Sequence, residues 1–505
     1  MGTNLASILT ESAARDTDAP AVRLGEHTLT FGELDERSAR AATLLREHGL
    51  ERGDRVGVML PNVPEFPIVY YGVLRAGGVV VPMNVLLKRR EIDFYLADSG
   101  TRLLLAWHGF VAEARDGAAD AGAELIEVEP ESFAATLDAL EPTPGLLDTD
   151  YEDTAVILYT SGTTGKPKGA ELSHRNLDEN SEIVARTTAD VQAGDVVLGA
   201  LPLFHSFGQT VSMNASLRNG ACLTLVPKFD PGEALATIER DAVTHFYGVP
   251  TMFGALLHHP GRERFDTSSL RICITGGASM PIEVLHGFEE AFGAELLEGY
   301  GLSETSPTAC AGHPGQLRKP GSIGTPLEKV EMRIVDEDDA EVPQGEVGEI
   351  VIRGHNIMKG YWNHPEATAE AIRDGWFHSG DLGRVDEDGY FFVVDRKKDM
   401  IIRGGYNVYP REVEELLYEH RAIREAAVLG VPHPEWGEEV GAAVVLEPGE
   451  EVEPEEVSAW VRERIAAYKY PRVVWFLDEL PKGPTGKIVK REIELPANAG
   501  QAAKS

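Results

Sequence analysis

The chain has 505 residues, too many for one hydrophobic core, so we expect a large domain and at least one smaller one. Its 43% hydrophobic and 26% charged residues exclude a disordered or collagen-like chain. The formal net charge of −35 argues against nucleic acid as a partner, because a polyanion would be repelled.

The N-terminal region lacks the basic start and apolar run of a secretory signal. The most apolar stretch, residues 56–87, is interrupted by polar residues and prolines, and it predicts a buried strand, helix and strand instead of a membrane span. Three widely spaced cysteines match neither a metal pattern nor a disulfide framework. We therefore expect a cytoplasmic protein. The cluster Lys88-Arg89-Arg90 predicts a surface patch at a helix start, with at most peripheral membrane contact.

Short β-branched runs alternate with amphipathic helical stretches over the first two-thirds of the chain. This alternation predicts an α/β domain with layered, mostly parallel sheets. Beyond about residue 345, alternating segments predict antiparallel strands. Five consecutive charges, Asp395 to Asp399, then interrupt the apolar pattern. We place a domain boundary there and predict a compact α+β unit after it, with a long helix over residues 454–467.

The segment Tyr159-Thr-Ser-Gly-Thr-Thr-Gly-Lys-Pro-Lys-Gly169 is predicted to bind a polyphosphate. Its three glycines permit tight turns that aim backbone N–H groups inward, and its hydroxyls and two lysines add donors and positive charge. It differs from a Walker A loop, because its glycines stand too close together and no Ser or Thr follows Lys166. A plain Ser/Thr/Gly linker is the alternative, which the two lysines and the preceding buried strand disfavour.

This loop is similar to the phosphate-binding signature of the adenylate-forming superfamily, which holds acyl-CoA synthetases, adenylation domains of peptide synthetases, and luciferases. Further segments follow in that superfamily's order and spacing over essentially the whole chain. They are Leu201-Pro-Leu-Phe-His-Ser-Phe207, Gly299-Tyr-Gly-Leu-Ser-Glu304, Trp376-Phe-His-Ser-Gly-Asp-Leu-Gly383, Asp395-Arg-Lys-Lys-Asp399, Gly404-Gly-Tyr-Asn-Val-Tyr-Pro410 and Pro484-Thr-Gly-Lys487. The resemblance implies a large α/β N-terminal domain over residues 1–397 and a small mobile α+β domain over 398–505, with a hinge near Lys398.

The resemblance also implies a site for ATP and Mg²⁺. Adenylate formation brings a carboxylate, an α-phosphate and a leaving pyrophosphate together, so positive charge and a metal must offset their repulsion. Glu304 and Thr160 are implied to hold Mg²⁺, Tyr300 to face the adenine, and Asp381 and Arg396 to hold the ribose. The full set implied for ATP and AMP is Thr160, Ser161, Gly162, Thr163, Thr164, Lys168, Gly277, Ala278, Glu298, Gly299, Tyr300, Gly301, Ser303, Asp381, Arg396 and Lys487.

By the same resemblance, Lys487 reaches the substrate carboxylate and the α-phosphate in the first half-reaction. Because Lys487 belongs to the small domain, that domain must close for adenylation and then swing about Lys398 for thioester formation. The second arrangement would present Gly404 and Gly405, which are small enough to let the pantetheine of CoA pass. The implied catalytic residues are Lys487, His205, Thr160 and Glu304. His205 would gate the acyl channel and contact the carboxylate without acting as a base; a core histidine is the alternative.

Apart from His205, the positions implied to line the acyl pocket are apolar or small, and no lysine or arginine stands among them. They are His205, Phe207, Val211, Tyr247, Gly248, Gly276 and Pro307. A dicarboxylate would need a cation there, so we expect a monocarboxylic acid. A medium- to long-chain fatty acid is favoured over an aryl acid such as coumarate or benzoate. Apolar pockets discriminate by only about 1–3 kcal/mol per methylene, so the sequence does not give the chain length.

The predicted protein is thus an AMP-forming acyl-CoA ligase of fatty acid metabolism, an acid–thiol ligase that uses ATP and Mg²⁺ with CoA as co-substrate. Three alternatives stay open: an adenylation enzyme that loads a carrier protein, a luciferase-like oxygenase, and, from another class, a non-catalytic nucleotide-binding protein. The expected partners are small molecules, and a homodimer is left open.

Overall fold

The computed structural model describes residues 4–160, 167–434 and 436–496. Two mostly parallel sheets with helices around them and a third, antiparallel sheet make up the N-terminal part, residues 4–396. A separate small sheet with two helices makes up the C-terminal part, residues 401–496. The predicted fold class, a large α/β domain with mostly parallel sheets and a small α+β domain, is confirmed.

The strands of the N-terminal part are short, as the alternating apolar runs predict. They are β1 (Pro20–Leu24), β2 (His27–Thr30), β3 (Arg55–Met59), β4 (Val79–Pro82), β5 (Leu103–Trp107), β6 (Glu124–Val128), β7 (Thr154–Thr160), β8 (Lys168–Ser173), β9 (Val196–Gly199), β10 (Cys222–Leu225), β11 (His245–Gly248), β12 (Ile272–Gly276), β13 (Glu295–Gly301), β14 (Thr308–Ala311), β15 (Thr325–Pro326), β16 (Val330–Val335), β17 (Gly348–Gly354), β18 (Gly360–Tyr361), β19 (Ile372–Arg373), β20 (Trp376–Val385) and β21 (Phe391–Arg396).

The first sheet runs in the order β15-β14-β13-β12-β11-β9-β10-β1-β2, and the strands from β13 to β1 in this order are parallel. The second sheet runs β18-β8-β7-β4-β3-β5-β6, with β8 and β18 antiparallel to their neighbours. The third sheet, β16-β17-β20-β19 with β21 on β20, is antiparallel. The alternating segments predicted beyond about residue 345 to be antiparallel strands correspond to strands of this third sheet.

Helices of the N-terminal part cover the two mostly parallel sheets and bury their apolar residues against them. They are α1 (Ser7–Arg15), α2 (Phe31–Glu47), α3 (Glu65–Arg75), α4 (Arg89–Ser99), α5 (Val111–Ala121), α6 (Pro130–Asp138), α7 (His174–Thr187), α8 (Ala215–Arg218), α9 (Pro231–Asp241), α10 (Pro250–Leu257), α11 (Ile282–Phe292) and α12 (Pro365–Ala371), with a π-helix at Phe207–Asn214. The buried stretch 56–87 forms β3, α3 and β4, as predicted.

The C-terminal part has its own hydrophobic core, which begins at Ile401, whereas the main core of the chain extends to Phe391. Its elements are β22 (Ile401–Arg403), β23 (Tyr406–Val408), α13 (Pro410–Tyr418), β24 (Ile423–His433), β25 (Gly437–Leu446), α14 (Pro454–Arg462) and β26 (Val473–Phe476). The prediction of a helix over 454–467 was wrong at its end, because α14 stops at Arg462. The Arg472 guanidinium instead donates to the carbonyl of Ala467, and the chain turns there toward β26.

The two parts are in contact along α13. The backbone N–H of Ile282, at the start of α11, lies 3.5 Å from Oε2 of Glu415. Arg411, also on α13, donates to the carbonyls of Gly321 and Val393 in the N-terminal part. A third contact joins the Thr251 hydroxyl to the carbonyl of Gly486 at 2.8 Å. The C-terminal part therefore sits closed over the end of the first sheet.

Two surface features bear on the sequence predictions. Within the described residues, no helix combines the length and the hydrophobicity that crossing a bilayer requires. Lys88 and Arg89 form ion pairs with Glu113 and Asp120, so their charges are largely neutralised at the start of α4. All three cysteines are buried and free, as expected of small core residues.

Candidate active site

The predicted phosphate loop connects two paired strands. Thr160 ends β7 and Lys168 begins β8, and the two residues face each other across the ladder. Strand pairing therefore holds the two ends of the loop side by side where β7 ends and β8 begins, within the second sheet. Of the predicted loop residues, Ser161, Gly162, Thr163 and Thr164 lie outside the described residues.

Glu304 lies beside Thr160, in the short turn Ser303–Thr305 that follows β13. Its carboxylate is buried, and Oε1 accepts hydrogen bonds from the Thr160 hydroxyl at 3.3 Å and from the Tyr361 phenol at 2.9 Å. The Ser303 hydroxyl is 3.4 Å from that of Ser206. The structure thus brings together both residues predicted to hold the metal.

Tyr300, Asp381 and Arg396 form one hydrogen-bonded group. The Tyr300 phenol donates to Oδ2 of Asp381 at 2.7 Å, and Nε of Arg396 lies 3.0 Å from Oδ1. Asp381 and Arg396 are cross-strand partners on β20 and β21, which explains how residues 15 positions apart meet. Burial raises the pKa of Asp381, while Arg396 opposes that shift. The predicted ribose pair and the predicted adenine residue are therefore neighbours.

Glycines keep the end of the first sheet open. Gly277 has a φ of +80°, which favours glycine, and a Cβ there would lie 2.6 Å from Cε and 3.0 Å from Nζ of Lys487. A Cβ on Gly301 would lie 1.8 Å from the carbonyl oxygen of Pro307, so this position also requires glycine. Ala278 is exposed beside Gly277, and Gly299 pairs with Gly276 on the neighbouring strand. The lysine of the C-terminal part thus reaches the predicted purine wall.

Lys487 lies within charge-interaction range of Glu304, Asp381, Arg396 and His205. Its removal from water, followed by the nearby Arg396 charge, lowers its pKa to about 8, whereas Asp381 and Glu304 act in the opposite direction. Burial, with a smaller contribution from Lys487, lowers the pKa of His205 to about 3. His205 is therefore neutral near pH 7, and its Nδ1 accepts the backbone N–H of Phe207 at 3.3 Å. A neutral imidazole suits a contact residue in this cleft.

The predicted acyl residues gather along the π-helix at Phe207–Asn214. The Phe207 ring lies 3.3 Å from the position of a Cβ on Gly276, and Val211 is fully buried. Tyr247 pairs with Ile274 and so shares the face of the sheet that Gly276 presents. Gly248 faces the other way, since a Cβ there would meet Phe246 and Phe253. The structure therefore joins Phe207, Val211, Tyr247 and Gly276 but not Gly248.

Polar atoms are buried in the same region. Among the described residues, four side-chain groups here have no hydrogen-bond partner: the Gln209 Nε2 amide, the Thr210 and Ser212 hydroxyls, and the Tyr247 phenol. Three of them belong to the π-helix and the fourth to β11. Buried donors of this kind ordinarily find a partner, which makes this wall less apolar than its sequence suggests.

Glu298, of the predicted nucleotide set, lies near the contact between the two parts. It is buried, receives a hydrogen bond from the Met280 backbone and is close to Arg411 and Glu415 of α13. Burial raises its pKa to about 7, although Arg411 acts against that shift. Glu298 therefore belongs to the domain contact as much as to the predicted adenine pocket.

The predicted second-step residues lie outside this cleft. Gly404 and Gly405 form the exposed turn between β22 and β23, and a Cβ on Gly404 would lie 2.7 Å from the Trp436 ring. Lys398 lies in the turn between β21 and β22, where the chain passes from one core to the other. The hinge and the CoA channel stay predictions.

Two side chains of the site escaped the sequence analysis. Tyr361 and Arg411 contact Glu304 and the N-terminal carbonyls from segments far along the chain. A Gly-Tyr pair shortly before the helix start at Pro365 was the available signal for Tyr361, but its partner, 57 residues away, could not be read from it.

Two family profiles match most of the chain. The profile of the AMP-binding enzyme family matches residues 9–362, and that of the AMP-binding enzyme C-terminal domain matches residues 412–487. The chain belongs to the AMP-binding enzyme family. The predicted AMP-forming acyl-CoA ligase of the adenylate-forming superfamily is thereby confirmed, with ATP, an acid and CoA as its substrates.

Relatives of this AMP-binding enzyme cover nearly its whole length. It is 41% identical to a long-chain-fatty-acid–CoA ligase of Bacillus subtilis, over 97% of this chain and 94% of the relative. It is 42% identical to a feruloyl-CoA synthase of an Amycolatopsis species, over 94% and 95%. Its structure is similar to that of ATP-bound MatB from Rhodopseudomonas palustris, with a TM-score of 0.91, 34% identity, and coverage of 97% and 98%.

Proposed function

We propose that this enzyme converts a medium- to long-chain fatty acid and ATP into acyl-AMP and pyrophosphate, and then transfers the acyl group to CoA. The observation that carries the proposal is the position of the Lys487 ammonium, beside Gly277 and near Asp381 and Glu304. One cation of the closed C-terminal part thus stands where a bound nucleotide and a bound carboxylate would meet.

In the first half-reaction, a carboxylate oxygen of the acid attacks the α-phosphorus of ATP. The bond from that phosphorus to the bridging oxygen breaks, and pyrophosphate leaves with the bond electrons. Negative charge accumulates on the α-phosphoryl oxygens, where the protonated Lys487 stabilises it. Asp381 and Arg396 would hold the ribose, and the Tyr300 ring would lie against the adenine.

Magnesium fits the residues present. Among the described residues no group of three or more His, Cys, Asp or Glu side chains could cage a metal. Mg²⁺ usually binds through one or two carboxylates and the substrate phosphates, and Glu304 with the Thr160 hydroxyl offers such a partial site. Bound there with ATP, the ion would neutralise charge on the phosphates.

In the second half-reaction, the CoA sulfur attacks the acyl carbon of the mixed anhydride, and AMP leaves with the bond electrons. The thiol proton passes to solvent, because the lowered pKa of His205 makes its imidazole a weak base and the anhydride needs little base assistance. We infer that the C-terminal part turns about Lys398 for this step, which brings Gly404 and Gly405 to the channel.

The preference for a fatty acid rests on the pocket wall. Phe207, Val211 and Gly276 offer apolar or small surfaces, and no lysine or arginine stands among the predicted pocket residues. The relative from Bacillus subtilis is a long-chain-fatty-acid–CoA ligase. Each buried methylene contributes about 0.8 kcal/mol, so kcat/KM should rise about fourfold per added methylene until the pocket is full.

A hydroxyaryl acid is the second candidate. Such an acid would need polar partners in the pocket wall. The Tyr247 phenol, the Gln209 Nε2 amide and the Thr210 and Ser212 hydroxyls are buried in that region without a hydrogen-bond partner among the described residues. The relative from Amycolatopsis is a feruloyl-CoA synthase. A pocket built to hydrogen-bond a substrate group rejects analogues that lack it strongly, by about 10⁴-fold or more.

An acid panel separates these candidates. We would measure kcat/KM in ATP–pyrophosphate exchange with octanoate, decanoate, palmitate, ferulate, benzoate and malonate, and then CoA-ester formation with the best acid. The expected result is a rise with aliphatic chain length and a lower value for every aryl acid. Ferulate exceeding all fatty acids would replace the first candidate by the second. Exchange without CoA esters, but with loading of a phosphopantetheinylated carrier protein, would overturn the CoA step.

A further inference from the structure

Tyr361 is a second hydrogen-bond donor to the proposed metal residue, besides Thr160. Its phenol donates to Oε1 of Glu304 at 2.9 Å, the same oxygen that accepts from the Thr160 hydroxyl. In the described part of the chain, the side-chain hydrogen bonds to the Glu304 carboxylate all go to Oε1. Two donors on one oxygen restrain the orientation of the carboxylate and leave Oε2 without a side-chain hydrogen bond among the described residues.

The Tyr361 ring also supports the phosphate strand. Nζ of Lys168, the first residue of β8, lies 5.2 Å from the ring centroid, within the range of a cation–π contact. Tyr361 is paired with Ala170 of β8, so the ring and the lysine are held on neighbouring strands. One side chain therefore touches both the acidic and the basic side of the proposed phosphate site.

The backbone around Tyr361 ties these two sides together. The N–H of Met358 donates to the carbonyl of Glu304, and the N–H of Trp362 donates to the carbonyl of Gly169, both within 2.9 Å. The Tyr361 N–H is itself bonded to the Thr368 hydroxyl at 2.8 Å. These three hydrogen bonds fix the backbone from which the Tyr361 side chain extends.

We propose that Tyr361 is a positioning residue that orients the Glu304 carboxylate so that Oε2 faces the metal which arrives with ATP. The inference rests on the proposed function, in which Glu304 holds Mg²⁺. A partner behind a metal-binding carboxylate fixes its direction, and loss of such a partner typically weakens metal binding about 10- to 100-fold.

The test is Tyr361→Phe, which keeps the ring, the strand pairing and the contact with Lys168 but removes the phenol donor. Mn²⁺ would replace Mg²⁺ as an electron-paramagnetic probe, titrated into protein saturated with an ATP analogue that cannot transfer its α-phosphate. We expect the Kd of Mn²⁺ for the nucleotide-bound protein to rise about tenfold. Since affinity is counted per bound nucleotide, partial unfolding would lower the stoichiometry without raising the Kd.

Tyr390→Phe is a matched control. The Tyr390 phenol also donates to an oxygen, the Leu317 carbonyl at 2.6 Å, and Lys319 also lies over its ring, at 4.9 Å. This variant should bind Mn²⁺ as the unmodified protein does. An unchanged Mn²⁺ Kd in Tyr361→Phe, or an equal rise in both variants, would overturn the role of Tyr361. If the unmodified enzyme showed no ATP–pyrophosphate exchange with any acid of the panel, that result would instead overturn the proposed function.

Discussion

At the scale of single residues, Lys487 is the side chain that the proposed function assigns to the first half-reaction alone. Under the proposed function its ammonium stabilises charge only while adenylate forms. Lys487→Ala should lower ATP–pyrophosphate exchange by about 10²- to 10³-fold, the usual cost of removing one donor at a developing anion. Transfer from supplied acyl-AMP to CoA should stay near the unmodified rate. Equal loss of both half-reactions would contradict this assignment.

The same residue predicts a pH dependence. Burial lowers the pKa of Lys487 to about 8, so the cation is lost as pH rises through that value. Because kcat/KM reports ionisations of the free enzyme, kcat/KM for ATP should fall about tenfold per pH unit above pH 8.

Lys487→Arg provides the control for this profile, since a guanidinium stays charged over the whole range. Its kcat/KM should be lower throughout but flat above pH 8. An alkaline fall of the same slope in the arginine variant would show that another group causes it.

Sequence patterns located single residues of the cleft better than their partners. The family's motifs are local in sequence, so the resemblance implied Thr160, Glu304, Asp381 and Arg396, which the structure shows as two contacting pairs. The Tyr361 phenol acts over 57 positions, and no local pattern encodes that distance. Gly248 was placed in the pocket although it faces away, because a side chain's face depends on a register that only the sheet defines.

At the scale of elements, the turn between β21 and β22 is the predicted hinge. Lys398 lies in that turn, between the last strand of the N-terminal part and the first strand of the C-terminal part. Proline fixes φ near −65°, so Lys398→Pro should restrict rotation there. Because a hinge gates the second step, we expect thioester formation from supplied acyl-AMP to slow more than tenfold, whereas ATP–pyrophosphate exchange should change less than threefold. Single-turnover measurements of the first rate and exchange measurements of the second would check this.

Lys397→Ala is the neighbouring control, because it alters the same turn without fixing a dihedral angle. Both half-reactions should proceed in it at nearly unmodified rates. If Lys398→Pro also leaves both rates unchanged, the hinge lies elsewhere.

Elements themselves were predictable where apolar periodicity is strong. The strands and helices of the parallel sheets follow from alternating β-branched runs and amphipathic stretches. The end of α14 did not follow, because residues 463–467 have good helix propensity, whereas the Arg472 guanidinium, five positions beyond Ala467, bonds the Ala467 carbonyl in the turn toward β26. Propensity is a weak guide where a side-chain hydrogen bond to the backbone decides the boundary.

At the scale of the whole molecule, the contact between the two parts contains a buried acid. Glu298 faces Arg411 and Glu415 of α13, and burial raises its pKa to about 7, above the value of about 4.3 expected in the unfolded chain. The unfolded chain therefore releases this proton first, and the folded protein loses stability as pH rises from about 4.5 to about 7.

Glu298→Gln removes this ionisation. Its unfolding free energy should match that of the unmodified protein near pH 4.5 and exceed it by on the order of 3 kcal/mol at pH 8. Unfolding midpoints between pH 5 and 8 would measure the difference, because the contributions of other ionisable groups are common to both proteins and cancel. Glu290→Gln, at an exposed position of α11, is the control and should leave the pH dependence unchanged. Parallel curves for Glu298→Gln and the unmodified protein would contradict the prediction.

The two-part architecture was predictable from the change of strand pattern and the charge run along the chain, whereas the closed arrangement of the two parts was not. Closure depends on contacts such as Glu415 with Ile282 and Thr251 with Gly486, which join segments over 100 residues apart. The oligomeric state, which the sequence left open, and the predicted cytoplasmic location would be tested by sedimentation and cell fractionation.

The enclosed cysteines have a practical consequence for following this closure. Cys222, Cys273 and Cys310 are free and buried, and burial raises the pKa of each thiol, so they react slowly with maleimide dyes. One new cysteine on α13 and another on an exposed position of α11 would then take up a donor and an acceptor fluorophore without prior removal of native thiols. Energy transfer between the dyes would report, molecule by molecule, how often the cleft opens during turnover.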